Sequence, residues 1–116
     1  KKKYQRLLIL RKNNIKKKVF YFIMSETKLP SQKLMLNAFK LSIKEDKPIM
    51  LDYWEDSNNE NVFIGVKDSD EKMLVKSEEE YTSPISKIFK VETEFIIMTE
   101  NSIYIVSASI KSKKIS

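Results

Sequence analysis

The 116-residue sequence has no cysteine, no histidine, one glycine and three prolines. Without cysteine there is neither a disulfide framework nor a thiolate metal site. Without histidine, the commonest general base and the commonest metal ligand are both missing. A single glycine, Gly65, leaves no material for a glycine-rich phosphate loop; within a strand it marks a point where a sheet must bend sharply. The longest apolar runs, VFYFIM at 19–24 and FIIM at 95–98, fall far short of the roughly 20 residues that cross a bilayer as a helix. The sequence therefore reads as a non-enzyme without cofactor or metal, with no membrane span and no secretion signal.

Arginine is nearly absent as well, and both copies, Arg6 and Arg11, lie in the opening stretch KKKYQRLLILRKNNIKKKVFYFI. Residues 1–23 hold seven Lys and two Arg and no acid, a charge of +9, whereas residues 24–116 hold thirteen Lys against sixteen Asp and Glu, a charge of −3. The basic balance thus belongs to the arm alone. Three readings of it stand side by side: a basic tether for nucleic acid or another anionic surface, a targeting segment, or upstream sequence in the same reading frame. The last reading draws on a wealth of Lys, Asn, Ile, Tyr and Phe, residues of A/T-rich codons, and on Met24-Ser-Glu-Thr as a plausible start.

What is present organises the rest as one domain over 24–110. Ser31 is a suitable N-cap, and Leu34, Ala38 and Leu41 fall at helical spacing with Met35 and Phe39 beside them, which predicts a helix over 31–46 that ends before Pro48. From there the apolar period changes to two, and strands are expected at 48–54, 61–67, 72–76, 85–92, 94–99 and 102–108. Asn101 suits a two-residue hairpin that needs positive φ. Residues 111–116 read as a polar, frayed tail. The fold class is α+β, mostly β: a helix followed by a five- to six-stranded antiparallel meander that forms a small barrel or bent sheet of SH3-like or Sm-like kind.

Candidate functional residues are few. Tyr53, Trp54 and Tyr81 are the aromatics best placed for partial exposure, and with Lys87 and Lys90 around Phe89 they could form a stacking and charge platform. In a regular strand Tyr53 and Trp54 face opposite ways, so Trp54 is expected in the core and Tyr53 half-buried. Lys67, Lys72 and Lys76 cluster around a turn as a second basic patch. DSDEK at 68–72 lacks the glycine and distal Glu of a calcium loop and reads as a solvated turn; SEEEY at 77–81 reads as a solvated loop or an acidic docking surface. A body without Arg is poorly equipped to read base edges.

The phrases DKPIMLDYWEDS, VFIGV, EKMLVKSEEEYTSPI, KIFKV and MTENSIYIVS, spread over about 34–110, resemble small proteins encoded by large algal and amoebal DNA viruses. The resemblance implies an A/T-rich viral genome and an intracellular or virion location; it implies no activity and no site residues. The segment VFIGVKDSDEKMLV also resembles an Sm strand pair in its glycine and acidic turn, while the Sm spacing of Asp and Asn is absent. The expected function is a non-catalytic binding or structural module, a viral accessory or virion component acting through a protein partner or self-association. The alternative is a nucleic-acid-associated small β-barrel that uses the arm at 1–23 as a tether, the only route to nucleic acid the sequence offers.

Overall fold

A computed structural model describes residues 28–115; the arm at 1–23 and its three readings lie outside them. Helix α1 (Gln32–Glu45) opens on Ser31, whose hydroxyl accepts the Leu34 N–H at 3.1 Å, satisfying one of the orphan donors of the first turn. It ends at Asp46 in the left-handed region (φ 56), with the Asp46 N–H bonded to the Ser42 carbonyl. Leu34, Met35 and Ala38 form the buried face of α1.

The strands follow in two groups. β1 (Ile49–Met50), β4 (Ile85–Val91), β5 (Glu94–Thr99) and β6 (Ile103–Ser107) form a four-stranded sheet in the order β1-β6-β5-β4; β2 (Phe63–Val66), β3 (Lys72–Val75) and β7 (Lys111–Lys114) form a three-stranded sheet in the order β3-β2-β7. β4, β5 and β6 are an antiparallel meander, but β1 pairs parallel to β6, and β7 pairs parallel to β2. The molecule is α+β and mostly β, as its alternating apolar pattern requires. The expected barrel is not formed: two mixed sheets lie face to face, and neither closes.

The middle strands of the four-stranded central sheet, β5 and β6, are buried on both sides because they are apolar at successive positions. Ile96, Met98, Ile103 and Ile105 pack against Leu34, Met35, Ala38 and Trp54 on the α1 side. Their neighbours Ile97 and Val106 meet Tyr53, Val62, Ile64 and Leu74 on the side of the smaller sheet. The order of layers is therefore helix, central sheet, outer sheet.

Three local expectations give way. The strand expected over 48–54 stops at Met50, and Trp54–Asn58 forms a one-turn helix, α2. Ser57 and Asn58 both donate side-chain hydrogen bonds to the Trp54 carbonyl, at 2.6 and 3.0 Å, and the Ser57 hydroxyl also accepts the Ser107 N–H, which fastens α2 to the end of β6. The tail expected to fray is β7: its side chains are exposed, but its backbone pairs from Phe63↔Lys111 to Val66↔Lys114. Asn101 does not take positive φ; the Thr99 hydroxyl instead accepts the N–H groups of Asn101 and Ser102 and so holds the last hairpin. Gly65 also lacks positive φ. A Cβ there would lie 2.8 Å from Ile115 Cδ1 and 3.0 Å from Val75 Cγ2, so its value is close approach.

Candidate functional site

The residues singled out in the sequence do not converge. Tyr53 and Trp54 are both buried, one on each side of the central sheet. Trp54 donates its indole N–H to the Lys28 carbonyl at 2.6 Å. Tyr53 stands edge-on to Tyr104, with ring centroids 5.3 Å apart, and Lys76 Nζ lies 4.5 Å from its ring centroid. Burial pushes the Tyr53 phenol well above its ordinary value, and the carboxylates of Glu80 and Asp52 push in the same direction. Tyr104 is raised too, by burial first and Asp52 second. Neither aromatic offers a ring to a ligand.

Tyr81 is 58% exposed. It borders a hollow of about 420 Å³ on the outer face of the smaller sheet, together with Phe63, Met73, Val75 and Ile115. The lysines of the expected second patch are largely spoken for: Lys67 pairs with Glu71 at 3.6 Å, and Lys76 with Asp56 and Glu80 at 3.3 and 3.4 Å. In the 68–72 turn, Asp68 pairs with Lys114. Among the described residues no three acidic side chains are grouped as metal ligands would be, and no helix is long and apolar enough to cross a membrane.

Lys87 and Lys90 are exposed on β4, and Lys90 borders the larger hollow, a groove of about 480 Å³ between α1 and β4. Its existence follows from the size of the helix layer. α1 lies over β1 and β5, and β4 extends beyond that cover. The register sets Phe89 opposite Ile96 and Val91 opposite Glu94, so Lys87, Phe89 and Val91 share the face of the sheet that α1 occupies. Phe89 and Val91, with Leu41 and Ile96, make an apolar floor, on which Phe89 remains 39% exposed. Lys33, Asn37, Lys40 and Lys44, at helical spacings of four, three and four, form the wall. None of Lys33, Lys40, Lys44 and Lys90 has a carboxylate partner among the described residues.

The open side of this groove is a strand edge. β4 is the last strand of its sheet, with no strand beyond it among the described residues, and Ser86–Lys90 are exposed throughout. An apolar floor, a basic wall and an unpaired backbone edge thus adjoin one another. Such an arrangement can hold an extended chain; it holds no nucleophile–base pair. The groove residues of α1 were legible in principle, because Lys33, Asn37, Lys40 and Lys44 form one polar stripe on the predicted helix. What the sequence does not carry is that this stripe overlooks β4. In comparisons with known proteins, no family model, curated protein or solved structure matches the chain.

Proposed function

We propose that the chain is a non-catalytic binding or structural module that works through protein–protein contacts, with the α1–β4 groove as its contact surface. One observation carries the reading: Phe89, on an edge strand, lies open to solvent beside an apolar floor that α1 leaves uncovered. An unpaired edge with apolar side chains invites pairing unless charge, bulges or brevity protect it. The other three edges have such protection. β1 has two residues, β3 is flanked by Lys72 and Lys76, and β7 is the Lys-rich KSKK. β4 carries Lys87, Lys90 and a register shift between Ile85 and Lys87, yet Ile88 and Phe89 between the lysines stay bare.

The test is a selection of random displayed peptides on the full chain, followed by binding of the recovered peptides to wild type and Phe89→Asp. Binding that is lost in a Phe89→Asp protein with unchanged circular dichroism supports the reading. Binding unaffected by that change overturns it. A role as a viral accessory or virion component rests on the sequence resemblance alone. The nucleic-acid reading has less behind it, because its barrel does not close and two lysines of its second patch are paired with carboxylates.

A further inference from the structure

We infer that the occupant of the α1–β4 groove is an acidic, extended peptide segment of a partner protein, which adds to β4 as a fifth strand of the central sheet; this rests on the protein-binding reading above. Charge complementarity is the first ground. Residues 28–115 hold thirteen Lys and fifteen Asp and Glu, so the described body is net negative, yet four lysines with no carboxylate partner among the described residues line one groove, where Glu92 is the one acid of the described lining. Lysines on a wall next to an apolar floor match a segment in which a bulky apolar side chain has carboxylates two residues away on either side. On an added strand every second residue would face α1, so one apolar side chain could enter over Phe89 and Leu41 while its acidic neighbours two positions away reach Lys33, Lys40 or Lys44.

The unpaired edge is the second ground, because strand addition draws affinity from backbone hydrogen bonds and specificity from alternate side chains. Other occupants fit less well. The arm at 1–23 carries +9 and no acid, so the basic wall repels it. The acidic loop of a second copy, Glu78–Tyr81, is held in a compact turn by Lys76 N–H to the Glu80 carbonyl and Glu80 N–H to Ser77, and Glu80 is already paired with Lys76. Such a head-to-tail contact would also be open-ended unless its rotation closes a ring. For a polynucleotide the net-negative body is a long-range repulsion, and the floor offers one aromatic ring.

The experiment compares full-length wild type with two matched double charge reversals, Lys33→Glu/Lys40→Glu on the groove wall and Lys72→Glu/Lys111→Glu on the outer sheet. The probes are the displayed-peptide selectants, read by fluorescence anisotropy, with amide hydrogen exchange followed on β4. Selectants enriched in Asp and Glu, weakened about tenfold by the groove reversal and less than about twofold by the other, support the inference, as does slowed exchange in β4. Equal effects of the two reversals would assign the attraction to the arm or to net charge and overturn it. So would selectants without acidic enrichment that still depend on Phe89, although these would leave the groove a protein-binding surface. Displacement of the peptides by a short oligothymidylate, itself sensitive to the groove reversal, would overturn the inference in favour of nucleic acid. If no selectant depends on Phe89, the protein-binding reading falls with it.

Discussion

A carboxylate only 3% exposed needs donors close at hand, and Glu94 finds one at the start of α1: the Ser31 N–H reaches its two oxygens at 3.2 and 3.3 Å. The contact joins the first residue of β5 to the helix cap and adds a polar tie to the packing of Leu34, Met35 and Ala38 on the sheet. Glu94→Ala removes the acceptor and leaves a partly buried N–H unpaired, a loss of about 1–3 kcal/mol. Glu94→Gln keeps an acceptor and should cost less. Urea denaturation of both variants checks the order; equal midpoints for Glu94→Ala and wild type would show that the contact is idle. Tyr53 and Tyr104 supply a pH dependence. Their phenols are raised above the ordinary 10.0 in the folded chain, so above that pH the unfolded chain loses protons that the folded chain keeps. Stability from this source is complete below about pH 10 and falls as pH rises beyond it. Phenolate absorbance during base titration should show these two tyrosines ionising together with unfolding, and Tyr53→Phe should flatten the decline.

At the scale of elements, β7 is the least expected piece and the easiest to test. Its own side chains are exposed, with Lys113 over the Phe63 ring, but Ile110 packs into the core before it and Ile115 lies over Gly65 after it. Ending the chain at Ile110 strips the parallel ladder from β2 and uncovers Gly65 and Val75. The lost apolar contact alone is on the order of 1.5 kcal/mol, which for a domain of this size lowers Tm by about 5 °C or more. A thermal scan of the shortened chain decides the matter, and an unchanged Tm would mean that β7 is ornamental. The contrast with α1 explains what could be read from the sequence. α1 is local: cap, period and stop lie within sixteen residues of sequence, and the observed helix Gln32–Glu45 sits inside the expected 31–46. The β4–β5–β6 meander is nearly as local, joined by short turns. α2 was hidden because Ile49, Leu51 and Tyr53 mimic a strand period, while the hydrogen bonds that turn the chain at Trp54 run from Ser57 and Asn58. The two parallel pairings are wholly non-local, and KSKK has no apolar period to betray it. The groove was half legible for the same reason: its wall is a helix stripe and its floor an alternating strand, but their juxtaposition depends on how far α1 reaches across the sheet.

Across the described residues, charge is unevenly placed. Lys33, Lys40, Lys44 and Lys90, which have no carboxylate partner among the described residues, line the α1–β4 groove, whereas Asp68, Glu71 and Glu80 on the turns meet Lys114, Lys67 and Lys76. A chain shortened to begin at Met24 keeps every described residue and loses the nine positive charges of 1–23. Its affinity for oligothymidylate at physiological salt should be no better than the weak end of non-specific binding, about 10⁻⁴ M. Sub-micromolar binding by anisotropy would move the nucleic-acid interface into the body itself.

The two parallel ladders also tie an early strand of each sheet to one that is synthesised much later. Ile49 waits for Ile103, and Phe63 waits for Lys111. A nascent chain can form α1 and the β2–β3 hairpin early, but β1 has no partner until Ile103–Ser107 has emerged, and the smaller sheet lacks its third strand until Lys111–Lys114 has. Completion of the two sheets is thus ordered by emergence, and a nascent chain that stops short of Ile103 would leave both β1 and β2 with bare backbone edges. In arrest-peptide force measurements, the release signal should rise only when residues beyond Lys114 have emerged.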